Sequence, residues 1–235
     1  VRIGALQKIS TIDYPRRLSC VIGTQGCNLQ CVWCHNAFLI PSRCSGGCKN
    51  WPAEEVLAFL RHRQGLLDGV VLSGGEPTLQ PDLAQFCQQI KRLDYPIKLD
   101  TNGTRPGVIR RLLDQGLVDY IAMDVKAGHD QYASLSAKRA ALSSAVQESI
   151  DLILSRCPAY EFRTTCVKPF VNTVSMPAIA WMVKGARVYY LQKCRLPSTL
   201  PDHHVISPQP CTDAELGELL TIASRFVEHC EIREC

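Results

Sequence analysis

Cys27, Cys31 and Cys34 follow one another at spacings of four and three residues within Gly26 to Asn36, directly after an apolar run. Thiolates so spaced can converge on one face of a cube-shaped iron–sulfur cluster and leave its fourth iron without a protein ligand, open to a substrate. A structural zinc site is normally closed by four ligands, often as two paired Cys-x-x-Cys knuckles. No second Cys-x-x-Cys occurs in the chain. Zinc completed by His35 or Cys44 stays open as the alternative.

A second group lies at the end of the next apolar run, Val70 to Pro77, where Gly74 and Gly75 precede Glu76. Two glycines let a ligand approach the main chain, whose N–H and C=O groups can grip it. Taken by themselves they read equally well as a tight turn. Every later apolar run also closes in polar residues: Asp100 and Asn102, then Asp124 and Lys126, then Arg163 and Thr165, then Gln192. One or two of these suit helix caps. A whole series beside a three-cysteine loop suits a bound zwitterion carrying a ribose, with Asp and Glu for an ammonium and hydroxyls, and Lys and Arg for a carboxylate.

The elements that must hold these groups alternate between β-branched runs and segments of helical period, the pattern of a parallel sheet covered by helices. The expected strands are Leu18 to Gly23, Gly69 to Leu72, Ile97 to Asp100, Asp119 to Met123, Glu161 to Val167 and Arg187 to Leu191. They make six βα units, a partial (β/α)6 TIM-like barrel whose strand ends share one rim, where such folds carry their sites. Glu54 to Arg63 behind Pro52 reads as a helix with Val56, Phe59 and Leu60 on one face. Val146, Ile150, Ile153 and Cys157 form another apolar stripe, and Thr212 to Glu215 is a capping box before Leu216, Leu219, Leu220 and Ala223. Residues 1–235 are expected to form a single domain. Its cluster-binding loop, at about 24–51, is the widest gap between expected strands and carries five cysteines. Pro197 to Pro210 reads as a surface connection.

Composition narrows the class. The chain is 46% hydrophobic with a formal charge of +4 and scattered basic residues, which argues against nucleic acid or a membrane as partner. No apolar run is long enough for a signal peptide or a membrane span, so a cytoplasmic protein is expected. Thirteen cysteines in a reducing compartment read as metal ligands where clustered, and as small core side chains where isolated, as at Cys20, Cys87 and Cys157.

With these residues in place, the sequence resembles the radical S-adenosylmethionine (SAM) superfamily, marked by Cys-x-x-x-Cys-x-x-Cys with an aromatic residue, here Trp33, before the last cysteine. It looks most like the activating enzymes of glycyl radical enzymes, and among them the activating protein of anaerobic class III ribonucleotide reductase. Ile3 to Pro15, Thr24 to Cys27, Trp33 to Asn36, Gly65 to Gln80, Leu99 to Gly103, Tyr120 to Lys126 and Tyr160 to Thr165 carry the likeness. The resemblance implies a radical SAM core and an oxidoreductase. Cys27, Cys31 and Cys34 would ligate a [4Fe–4S] cluster whose open iron is chelated by SAM. Gly74, Gly75 and Glu76 would meet the methionine amino group, Asp100 and Asn102 the methionine or ribose, Lys126 and Arg163 the carboxylate, and Trp33 and His35 the adenine. Asp124 would face either cofactor or peptide substrate.

The implied reaction is reductive cleavage of SAM to methionine and a 5′-deoxyadenosyl radical, which takes hydrogen from a glycine Cα in the partner reductase. A flavodoxin- or ferredoxin-type protein would donate the electron. Cys44, Cys48 and Cys194 depart from the family pattern; two cysteines do not complete a four-ligand site, so Cys44 and Cys48 read first as ordinary loop thiols, and as the start of an auxiliary site with Cys166, Cys194 or Cys211 second. Two other readings stay open: a radical SAM enzyme modifying another peptide or a small molecule, with or without an auxiliary cluster, and a non-enzymatic zinc-binding module.

Overall fold

A computed structural model describes residues 1–40, 50–136, 142–196 and 207–234. Six parallel strands form its centre: β2 (Ser19–Thr24), β3 (Gly69–Gly74), β4 (Ile97–Thr101), β5 (Tyr120–Asp124), β6 (Tyr160–Lys168) and β7 (Tyr189–Lys193). They lie side by side in chain order, as repeated short crossovers require, and all point their carboxyl ends the same way. The α/β class and the six parallel strands agree with the sequence-based expectation, with boundaries within two residues at most ends.

Helices α1 (Ala53–Arg61), α2 (Leu83–Lys91), α3 (Pro106–Asp114), α4 (Ser143–Arg156), α5 (Met176–Met182) and α6 (Asp213–Ala223) accompany the sheet. Val70, Val71, Leu72, Ile97, Leu99, Ile121 and Phe162 are completely buried. Strands covered on both faces read as continuous apolar runs, and for that reason the central six were visible in the sequence. Val56, Leu60, Val146, Ile150 and Ile153 are likewise fully buried. Thr212 and Glu215 exchange the expected reciprocal bonds at the start of α6.

Three strands fall outside the expected set. β1 (Ile3–Ser10) pairs antiparallel with β2, β8 (Gln209–Pro210) with β6, and β9 (Cys230–Arg233) runs parallel to β7. β1 and β9 are the two edges of the sheet, which leaves a part-barrel rather than a closed one. An edge strand is half solvated, so its apolar alternation is weak. In β1 the register also shifts twice, between Ile3 and Ala5 and between Gln7 and Ser10, which breaks the two-residue period that pattern reading relies on.

Candidate active site

The chain leaving β2 is fastened before it reaches the cysteines. Gln25 N–H donates to the Arg2 carbonyl at 2.9 Å and Gly26 N–H to the Leu39 carbonyl at 2.8 Å, while Gln80 Nε2 donates to the Gln25 carbonyl at 2.8 Å. Further on, Gln30 N–H donates to the Leu135 carbonyl at 2.7 Å, and Cys34 N–H closes a turn onto the Cys31 carbonyl at 3.3 Å. Leu29, Val32, Trp33 and Leu39 are buried under this loop, with Trp33 packed on Phe170 at 5.0 Å between ring centroids. Bonds to segments distant in the chain, one local turn and a small apolar underside thus hold three thiols at the mouth of one cavity of about 390 Å³.

Burial pushes the Cys27 thiol up to about 11, against the opposing Leu29 N–H, and the Cys31 thiol up to about 12, against the opposing charge of Lys126. Buried thiols of this kind are poor nucleophiles, and a bound cation is what draws off their protons. Among the described residues no three His, Cys, Asp or Glu side chains stand close enough to hold one metal ion. Soft sulfur donors spread around one cavity fit a polynuclear iron–sulfur group, in which each thiolate takes its own iron.

Gly74 and Gly75 are where β3 meets that loop. Gly75 N–H donates to the Thr24 carbonyl at 2.9 Å, Glu76 N–H to the Gly26 carbonyl at 2.8 Å, and Asn36 Nδ2 to the Gly74 carbonyl at 3.0 Å. A Cβ on Gly75 would lie 2.1 Å from the Gly26 carbonyl oxygen, and Gly74 has φ +110° with Thr24 N 2.4 Å from any Cβ. This is more than a tight turn, since the backbone of the glycine pair is the joint between sheet and cysteine loop. Gly75→Ala is expected to force the two chains apart, destabilise the fold by about 1–3 kcal/mol in urea unfolding, and lower the iron retained after reconstitution.

Glu76 is 1% exposed. Its Oε1 accepts from Thr78 N–H at 3.0 Å and the Thr101 hydroxyl at 2.8 Å, and its Oε2 from Asn102 N–H at 2.7 Å. The carboxylate therefore stitches β3 to β4. Asn102 is similarly engaged: Oδ1 accepts from Thr104, while Nδ2 donates to Asn28 at 3.1 Å and approaches Cys27 Sγ at 3.9 Å.

The opposite wall is a ladder of charges crossing β4, β5 and β6. Asp100 accepts from Lys98 Nζ at 2.5 Å and Ser73 Oγ at 3.1 Å, with Arg163 Nη1 at 3.6 Å. Asp124 accepts from Arg163 Nε at 2.7 Å and Lys126 Nζ at 3.0 Å. Burial would raise the Asp124 carboxyl, but the charges of Arg163 and Lys126 outweigh it and hold the group well below the usual range. Lys126 and Arg163 are in turn pushed up by Asp124 against their own burial. All three stay ionised at neutral pH, facing the same cavity as the thiols.

A carboxylate whose folded pKa is depressed adds stability that is present above its unfolded pKa, about 4, and is lost as pH falls through the folded value. Asp124→Asn should therefore cost about 3 kcal/mol at pH 7, because it strips a buried pair of one partner. The gap from the parent should close only at pH values below about 4, as measured by urea unfolding across pH 7 to 3.

Cys27, Cys31, Cys34, Trp33, His35, Gly74, Gly75, Glu76, Asp100, Asn102, Asp124, Lys126 and Arg163 all line the cavity. His35 is exposed at its mouth, with its ring nitrogen Nε2 bonded to the Arg195 carbonyl. The sequence reading did not assign Asn36, Ser73 or Lys193 to the site, although they lie beside assigned residues on the lining. Of the auxiliary candidates, Cys194 lines the cavity. Cys166 and Cys211 are buried, with their thiols directed to the carbonyls of Thr164 and Val171. Cys44 and Cys48 lie outside the described residues.

Residues 21–168 match the Radical SAM superfamily. The chain is a radical SAM protein. Over an alignment of 239 positions that takes in 98% of its length, it is 33% identical to a protein of Methanocaldococcus jannaschii provisionally named a glycyl-radical enzyme activating enzyme, and it covers 95% of that relative. The pyruvate formate-lyase-activating enzyme of Clostridium pasteurianum is 31% identical to this radical SAM protein over 58% of either chain. In three dimensions it resembles Streptococcus suis SuiB bound to S-adenosylmethionine, with a TM-score of 0.63 at 14% identity over 92% of this chain and 50% of that one, a likeness of fold. Among the described residues no helix is long and apolar enough to cross a membrane.

Proposed function

We propose that this radical SAM protein is the activase of an anaerobic ribonucleotide reductase. One observation carries the reading: three thiols, a backbone joint of two glycines and a ladder of opposed charges line a single cavity at the strand ends. Thiols, exposed main chain and fixed cations are the groups an iron–sulfur cluster and a zwitterionic nucleoside require together. The homology to glycyl-radical enzyme activating enzymes supports a protein as the substrate.

In this reading Cys27, Cys31 and Cys34 hold three irons of a [4Fe–4S] cluster. The main chain at Gly74, Gly75 and Glu76 meets the ammonium of SAM. Lys126 and Arg163 balance its carboxylate, Asp100 and Asn102 flank the methionine and ribose, and Trp33 and His35 border the adenine. Asp124 orients Lys126 and Arg163 through its ion pairs with both and is the candidate contact for the peptide substrate. When bound, the two cofactors supply the reductive cleavage of SAM and the abstraction of hydrogen from a glycine Cα. The protein contributes fixed charges set before the ligand arrives and a buried floor that excludes water. A flavodoxin- or ferredoxin-type protein supplies the electron.

The test mixes the reduced, cluster-loaded chain with SAM and an anaerobic reductase, and records electron paramagnetic resonance. A glycine-centred doublet that requires all three components supports the proposal. Turnover of SAM to 5′-deoxyadenosine with no radical on any reductase tried would assign the chain another substrate.

A further inference from the structure

Glu161 is 1% exposed and lies on the cavity face of β6, one pleat below Arg163. Three side chains supply it with protons or charge. The Tyr120 hydroxyl donates to Oε2 at 2.9 Å. Arg233 Nη1 donates to Oε1 at 3.1 Å and Nη2 to Oε2 at 3.4 Å, a two-point grip. Arg163 Nη1 stands 3.7 Å from Oε1. Arg233 comes from β9, and its guanidinium carbon lies over the Tyr190 ring, 3.5 Å from the centroid, a contact that helps hold the side chain in place.

Arg163 is therefore a shared cation. Its Nε is committed to Asp124 at 2.7 Å, while Nη1 stands almost equidistant from Asp100, at 3.6 Å, and Glu161, at 3.7 Å. Two guanidinium groups face one buried carboxylate, and the shorter, paired bonds belong to Arg233.

We propose that Arg233 is a positioning residue for the SAM site: by satisfying Glu161 it leaves Arg163 turned toward Asp124 and the cavity mouth, free to receive the carboxylate of SAM. The inference rests on the reading of Arg163 as the partner of that carboxylate. Without Arg233, Glu161 is a buried charge short of a cation, a costly state that the nearest cation relieves by moving toward it. That cation is Arg163, and the movement draws it one pleat away from the ligand.

Isothermal titration of SAM into anaerobic, cluster-loaded, oxidised protein tests the idea, with circular dichroism to check the fold of each variant. Arg233→Met is expected to bind SAM about tenfold more weakly, and Arg233→Lys, which keeps the charge but loses the two-point grip, falls between it and the parent. In Arg233→Met combined with Glu161→Gln the charge that pulls on Arg163 is gone, and most of the affinity returns. Parent-like binding by Arg233→Met, or a folded double variant no tighter than Arg233→Met, overturns the proposal. Should Arg233→Met fail to fold, Arg233→Lys is compared with the parent, and a folded Arg233→Lys with parent-like affinity overturns it equally. Arg163→Met separates the two levels: if it binds SAM as the parent does, the carboxylate reading itself is wrong. If it binds weakly while Arg233→Met does not, only the positioning role fails.

Discussion

Cys31→Ala, reconstituted with iron and sulfide in the absence of air, is expected to fold and to bind almost none of the about four irons that the parent takes up. Cys31 is 8% exposed and sits over an apolar floor of Leu29, Val32 and Trp33. Replacing its small side chain by alanine therefore costs less than about 1.5 kcal/mol in unfolding. The chemical loss is complete by contrast, because two thiolates do not hold a cluster that needs three, and SAM cleavage falls to background. Iron analysis and chromatographic assay of 5′-deoxyadenosine read the two effects separately. A Cys31→Ala variant that kept a full iron complement would show that other cysteines supply the ligands, and the roles given to Cys27 and Cys34 would go with it.

Arg163→Met should produce the largest loss of both stability and ligand affinity for any residue outside the cysteine loop. The guanidinium, 12% exposed, stands among Asp124, Asp100 and Glu161 at 2.7, 3.6 and 3.7 Å. Removing it leaves buried carboxylates under-compensated, which costs about 3–5 kcal/mol in urea unfolding. SAM affinity is expected to fall by more than about tenfold, since a charged hydrogen bond contributes about 1.5–3 kcal/mol. Arg163→Lys does not rescue it, because a single ammonium cannot reach three carboxylates set around a planar fork. A lysine variant with parent-like stability and affinity would show that the site needs only charge here.

What could be read from the sequence follows from how each feature is encoded. The cysteine triplet is written in residue type and short spacing, and the structure brings its three members to one cavity. The polar strand ends were legible because parallel strands leave a sharp boundary between an apolar run and the first polar residue, as at Asp100 and Asp124. Lys98, 2% exposed, was not assigned, because it lies inside an apolar run. The signal that could have found it is its spacing of two from Asp100, which puts both on one face of β4. The bonding of Glu76 and Asn102 was less legible still, because beside their local bonds to Thr78 and Thr104 their side chains reach Thr101 and Asn28, 25 and 74 positions away. Arg233 lies 72 positions from Glu161. A contact of that range, made by a four-residue edge strand, leaves no periodic trace.

Apart from β8, which pairs with β6, the strands stand in the sheet in the order in which a ribosome makes them, with β9 after β7 at the far edge. A growing chain can thus lay down each strand beside the one before it, and the thiols and glycines at the early end are in place first. Glu161 must wait for its strongest cation until translation has passed Arg233. Nascent chains halted short of that point would own every proposed cluster ligand and yet lack a settled charge ladder. Completion of the charge ladder is thereby deferred until the edge strand β9 has been made and has paired with β7.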